Sequence, residues 1–311
     1  VVVIIFTLIF SVCVCLSSSS DRLSKFGIVD VSSFSKGPSE YHGLSLLRAD
    51  RYNRDTLILV RQGGNATLFK LTLEGYRSAF GGNLALTHND ARAGTHEGQQ
   101  FRYILDVAQY NNTKIAFAEY WPDHCVKEYD SATDQITNLV GSCNESQWGS
   151  ALSSTGKPVI AKEHHLGTPT SLLLLEATQK LLIIDGSYNI TYIYDFPTAT
   201  LELFVPKFKL AVPQSLLAST DESVVYVSHH FAVTAVRVRD RETTRLVGKN
   251  SIDGSDIFSP GPFSAESTHI GSLSFLRWVI PDKLMFASHG KSLAIIDLVD
   301  QQVFSICKGE Y

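Results

Sequence analysis

With one methionine in 311 residues and no convincing long amphipathic helix, the sequence gives helical fold classes no support. It also lacks any block of Lys/Arg and any acidic tail. With 27 Lys+Arg against 31 Asp+Glu and a net charge of -4, nothing supplies the electrostatics of nucleic-acid binding or of an anionic-membrane surface. No GxSxG, P-loop, HExxH or strand-linked GxGxxG occurs, so serine-hydrolase, NTPase, zincin and dinucleotide-binding readings have no motif. What is plentiful is aromatic and β-branched residues, including 17 Phe and 12 Tyr, which suit sheets.

Val1 to Leu16 (VVVIIFTLIFSVCVCL) is apolar except for Thr7 and Ser11, and Ser17 to Ser20 follow it. An apolar core of roughly 15 residues before small residues fits a signal peptide better than a span, which needs about 20. Residues 1–20 are therefore expected to be a cleavable signal peptide, with a short signal anchor as the alternative. After cleavage no stable membrane span is expected, and the mature chain is expected to be secreted. Cys13 and Cys15 would leave with that segment. In an oxidising compartment Cys125 and Cys143 are the expected pair, since they flank a predicted hairpin; the alternative is two buried free thiols. Cys307 is left odd, either unpaired or paired beyond Tyr311.

Five segments share one pattern of short apolar strands separated by polar turns. They open at Leu57 (LILVRQGGNATLFKL), Ile115 (IAFAEYWPDHCVKEY), Leu181 (LLIIDGSYNITYIYD), Val224 (VVYVSHHFAVTAVRV) and Leu284 (LMFASHGKSLAIIDL). An acidic residue follows the second strand in four copies, at Asp130, Asp195, Asp240 and Asp297. Openings are about 43 to about 66 residues apart, near the period of propeller blades. Strand-like stretches precede the copies at Leu44–Arg48, Tyr103–Val107, Ser171–Leu175, Ser215–Ala218 and Ser272–Leu276. Leu166 to Lys180 reads as a buried strand because Gly167 and Pro169 argue against a helix. Each unit is then a four-stranded meander. The fold class is all-β, a β-propeller with five blades visible over residues 44–311 and six expected in the full protein. Residues 21–43 would be an N-terminal strand or linker, with part of a closing blade as the alternative.

The third copy, IIDGSYNITYIYD, resembles an NHL-type repeat: an apolar strand, Asp, a short turn containing Asn, then an apolar strand. The closing segments NLVG and RLVG and the run KNSIDGSDIFS are similar to the family's closing segment and loop. The likeness spans roughly Asp50 to Gly309 and is best in Leu181–Asp195. At the family's repeat Asp this chain has Arg61, Glu119, Asp185, Ser228 and Ser288. The resemblance implies two kinds of chemistry. In a secreted amidating lyase built of NHL-like repeats, histidines bind zinc; the matching candidates here are His165, His229 and His289. In calcium-dependent lactonase-like hydrolases, oxygen ligands from several blades hold the metal; here Glu119 and Asp185, with Asn189, would be the set. The bland alternatives are histidines on solvated turns and Asp/Asn residues stabilising their own turns.

Sequons place candidate N-glycans at Asn65, Asn111, Asn144 and Asn189. Tyr120 and Trp121 fall in a turn and could anchor a partner, or pack on a neighbouring blade. The expected function is a secreted binding or scaffold module for an extracellular protein or glycan, with no cofactor. The alternative is a metalloenzyme, a zinc lyase or calcium-dependent lactonase-like hydrolase, for which zinc or calcium would be required. A third reading is the propeller part of a longer cell-surface receptor.

Overall fold

The computed structural model describes residues 44–49, 56–61, 67–72, 77–81, 104–120, 123–133, 135–143, 157–205, 213–229, 232–248, 262–264, 275–289 and 292–307. The expected signal peptide and the 21–43 segment lie outside them. No α-helix occurs among the described residues, and no helix there is long and apolar enough to cross a membrane.

The strands form five antiparallel meander sheets of the blade type. The first blade is β1 (Leu44–Ala49), β2 (Thr56–Arg61), β3 (Thr67–Thr72) and β4 (Arg77–Gly81). The second is β5 (Ile104–Gln109), β6 (Lys114–Glu119), β7 (Cys125–Asp130) and β8 (Gln135–Val140). In the third, β9 (Val159–Ile160) pairs at the outer edge of β10 (Pro169–Leu175), β11 (Lys180–Asp185), β12 (Ile190–Asp195) and β13 (Thr200–Val205). The fourth is β14 (Ser215–Ala218), β15 (Val224–Ser228), β16 (Val233–Arg237) and β17 (Thr243–Val247). In the fifth, β18 (Pro262–Ser264) pairs with the outer strand of β19 (Phe275–Ile280), β20 (Leu284–His289), β21 (Ser292–Asp297) and β22 (Gln302–Cys307). Two compact units result: Ser39–Phe208 carries the first three blades, and the last two lie within Lys209–Tyr311.

The repeat is also written in the backbone. In every blade the pairing of the third and fourth strands slips once, at Leu68/Phe69, Val126/Lys127, Thr191/Tyr192, Val233/Thr234 and Leu293/Ala294. The residue skipped on the outer strand is Phe80, Leu139, Phe204, Leu246 or Ile306, always large and apolar. Strict alternation would send one of two neighbouring residues to each face. The bulge instead lets both turn inward, so Leu139 and Val140 are buried, as are Phe204 and Val205. This is the physical content of the repeated NLVG and RLVG closings.

Turn chemistry repeats too. Asp130, Asp195 and Asp297 each end a third strand and accept a backbone N–H from the following turn, Ala132, Thr198 and Val299 respectively. Asp240 differs. By register its place belongs to Arg237, which pairs with Val224 as Asp195 pairs with Lys180. Asp240 lies three residues on and holds the turn by bonding the Arg237 guanidinium at 2.8 Å and the Glu242 N–H at 3.2 Å. The expected strand at Ser272–Leu276 overlaps β19 at Phe275 and Leu276, and its first three residues lie outside the described residues.

Cores form between neighbouring blades. Ala116, Ala118 and Val126 of the second blade pack with Leu172, Ile183 and Tyr192 of the third. Tyr226, Val233 and Val247 of the fourth pack with Leu276, Met285 and Val303 of the fifth. Polar links cross the same seams. Buried Asp106 on β5 accepts the Leu172 N–H of β10 at 2.9 Å and the Ser171 hydroxyl at 3.0 Å. In the other unit the Trp278 indole donates to Ala218 O at 2.7 Å and lies edge-on to Tyr226. Trp278 thereby packs across this seam.

Candidate functional site

Within the Ser39–Phe208 unit, one rim gathers three of the polar side chains singled out from the sequence, Glu119, His165 and Asp185. It is built by the turn between β6 and β7 and by the connection from β8 into β10. The β6–β7 turn leaves Glu119, the last residue of β6, directly opposite Cys125, the first of β7. Lys127, two residues further along β7, projects from the same face as Cys125. Its ammonium lies 2.6 Å from Glu119 Oε2 and 2.5 Å from Asp123 Oδ2. Glu119 is 0% exposed, Lys127 5% and Asp123 9%, so this is a buried ion triad. Burial alone would lower the Lys127 pKa, but Glu119 and Asp123 outweigh it and hold it above the usual lysine value.

The turn is fastened from three sides. Cys125 is disulfide-bonded to Cys143, with Cα atoms 5.4 Å apart. Between β8 and that bond, Gly141 adopts φ +103°, and a Cβ there would stand 2.7 Å from the Cys125 Cβ. Only glycine fits that approach. His124, at φ 48°, donates from Nδ1 to Gly167 O at 2.5 Å, and Tyr120 sits edge-on to the His124 ring. Tyr120 itself is 37% exposed, a large aromatic at the edge of a heavily braced turn.

The connection into β10 brings in the histidine pair. Ser142 N–H donates to His164 O at 3.1 Å, and Ser142 Oγ is hydrogen-bonded to His165 Nδ1 at 2.6 Å. His164 Nε2 is 3.3 Å from the buried Tyr192 hydroxyl. Burial, then the neighbouring His165, lowers the His164 pKa to about 4, so His164 is neutral at physiological pH.

Asp185 ends β11 at the register position where Glu119 ends β6: Asp185 pairs with Pro169 and Ile190 as Glu119 pairs with Ile104 and Cys125. Its carboxylate accepts four backbone N–H groups, from Gly167 at 2.7 Å, Thr168 at 2.9 Å, Ser187 at 3.1 Å and Tyr188 at 3.4 Å. Burial still raises its pKa against those four bonds. Gly167 is pressed so close that a Cβ would stand 2.6 Å from Ser187 Cβ. Position for position, Ser228 ends β15 and is fully buried.

This arrangement decides what the candidate metal ligands are doing. Among the described residues, Glu119, Asp123 and Cys125 bring ligand-type atoms within 4.8 Å of one another. The cation already there is the Lys127 ammonium, and the Cys125 sulfur is bonded to Cys143. Asp185 is turned to backbone amides. Glu119 and Asp185, two of the oxygen ligands of the calcium reading, are thus committed to internal partners as arranged. Of the histidine set, His165 belongs to this unit, whereas His229 and His289 belong to the other. His229 is not on a solvated turn: it is 3% exposed, with Nε2 2.7 Å from Thr234 Oγ1. His289 ends β20, and its side chain lies outside the described residues, as do Trp121, Asn65, Asn144 and the Cys307 side chain.

His229 carries a pH prediction. Burial, then the Arg245 charge, lowers its pKa to about 4 from an unfolded value of 6.5. The unfolded chain therefore binds the proton more tightly. Stability conferred by the neutral imidazole is complete above about pH 6.5 and drains away as pH falls towards 4, on the order of 3 kcal/mol. Urea titrations from pH 7.5 to 4 should show that slope, reduced in His229→Gln. An unchanged slope would contradict it.

Lys127 and Ser142 are site residues that the sequence reading does not mark. Lys127 had a readable signal: a cationic residue two places from Cys125 on a strand whose neighbours turn inward. Placing it beside Glu119 needed the length of the β6–β7 turn.

No family model and no curated protein matches the chain. Its fold does have solved likenesses. A protein of unknown function from Bacteroides thetaiotaomicron is 10% identical with a TM-score of 0.51, over 81% of this chain and 56% of that one. The extracellular domain of a hybrid two-component system from the same species is 10% identical with a TM-score of 0.45, over 86% of this chain and 27% of that one. This chain therefore spans about half of the first protein and about a quarter of the second. The likeness is one of fold.

Proposed function

We propose that the chain is an extracellular binding module, and that its contact surface is the rim around Tyr120. The observation that carries this reading is the setting of Tyr120. It is an exposed aromatic on a turn held by a disulfide, a buried ion triad and a hydrogen bond to the next blade. A pre-ordered aromatic loses little freedom on binding, which is how anchor residues of protein and glycan contacts work. The ligand class is an extracellular protein or glycan. Secretion is supported by the apolar 1–16 run and by a disulfide, a bond that persists in oxidising compartments. Membership among NHL-like propellers is part of the proposal and is supported by the third blade. The metalloenzyme reading is disfavoured because Glu119, Asp123 and Asp185 are committed to internal partners.

The test is binding of the multimerised chain to arrays of glycans and of extracellular protein domains. Tyr120→Ala should weaken the ligand found by at least about tenfold, the usual loss for an aromatic anchor, with the thermal midpoint unchanged. A ligand bound equally well by Tyr120→Ala would place the contact surface elsewhere.

A further inference from the structure

We propose that, of the sequons at Asn111 and Asn189, Asn111 is an N-glycan acceptor and Asn189 stays bare, which puts this carbohydrate at the end of the blade opposite Tyr120. This rests on the reading of the chain as a secretory protein.

The two sequons occupy opposite ends of their blades. Asn111 lies in the turn between β5 and β6, and the turn between β7 and β8 lies beside it: Ser131 N–H donates to Thr113 O at 2.8 Å. Tyr120 leaves the other end of β6. Six strand residues separate the two ends, about 20 Å at the usual rise. Asn189 lies in the turn between β11 and β12, the counterpart of the turn that carries Tyr120 and His124. The two turns are joined through Gly167, which bonds both His124 and Asp185. A glycan on Asn189 would therefore stand on the proposed contact rim, and one on Asn111 would not.

The side chains differ in the same sense. Asn111 and Asn112 are exposed, and the Asn111 backbone is spent on closing its own turn with Lys114, at 3.4 and 3.3 Å. That leaves a projecting carboxamide on a closed hairpin. Asn189 is half-buried at φ 56°, with its Oδ1 shut off from solvent. Thr191, the hydroxyl residue of the same sequon, is 0% exposed with Oγ1 likewise enclosed. The acceptor nitrogen of Asn189 shares a rigid plane with that enclosed oxygen. A chain modified there before folding would have to seat a sugar-bearing amide in a packed turn beside Asp185. Asn111 meets no such demand, because a glycan on it extends into solvent.

The experiment uses the full chain in cultured animal cells, once with its own N-terminus and once behind a foreign cleavable leader. Peptide N-glycosidase in 18O-water followed by peptide mass spectrometry reads each site. In the leader version the Asn111 peptide should carry the isotope and the Asn189 peptide should not. Asn111→Gln should remove one glycan from the intact mass, and Asn189→Gln should change it by the side-chain difference alone. A bare Asn111 or a labelled Asn189 in the leader version overturns the proposal. If the chain with its own N-terminus stays in the cell while the leader version is labelled at Asn111, the secretory reading fails and the glycan assignment stands.

Discussion

Replacing Lys127 with methionine should destabilise the chain by about 3–5 kcal/mol, because it removes the cation from a buried triad and leaves two carboxylates facing each other out of water. Glu119 is fully buried and Asp123 nearly so, and the Lys127 ammonium is within 2.6 Å of both. Their mutual repulsion in a poorly solvated site is the reason the loss exceeds that of a surface ion pair, which is worth about 1 kcal/mol or less. Neutralising all three together, with Glu119→Gln and Asp123→Asn added, should recover most of the loss, since no charge then remains to be solvated. Urea unfolding of wild type, the Lys127→Met chain and the triple variant measures this. A Lys127→Met chain as stable as wild type would mean that the carboxylates find another partner.

Removing the disulfide should cost about 3 kcal/mol, the loop-closure value for a crosslink spanning some 15–20 residues. Cys125 and Cys143 are 18 residues apart, and the bond ties the first residue of β7 to the connection that leaves β8. Besides the entropy, the bond holds Gly141 at φ +103° against Cys125, so its loss should also loosen the anchoring of Tyr120. The double variant Cys125→Ser/Cys143→Ser is the right test, since it leaves no lone thiol. Equal urea midpoints for the double variant and the oxidised wild type would contradict the expectation.

How far the sequence reaches can be seen blade by blade. The repeat openings at Leu57, Ile115, Leu181, Val224 and Leu284 fall within one residue of where β2, β6, β11, β15 and β20 begin. These runs are apolar, β-branched and bounded by turn residues, so local composition sets them. The bulges were hidden because a bulge is a property of pairing. A doublet such as Leu139-Val140 reads as a break in alternation until its partner strand is known. The two-residue strand β9 and the three-residue strand β18 were hidden for the same reason: they exist through the outer strands they pair with. At the site, the importance of Glu119 and Asp185 followed from the repeat position, but their roles did not. One finds an ammonium and the other four amides, and both partners depend on turns whose shapes no local pattern specifies.

The proposed contact surface rests on those carboxylates being committed inside the fold, where they are not offered to a metal. Metal analysis of the purified, secreted chain after equilibration with zinc and with calcium tests this most directly. The expected result is far less than one ion per chain, unchanged in Glu119→Gln. One zinc or calcium per chain, lost in Glu119→Gln or Asp185→Asn, would contradict it and return the molecule to the metalloenzymes.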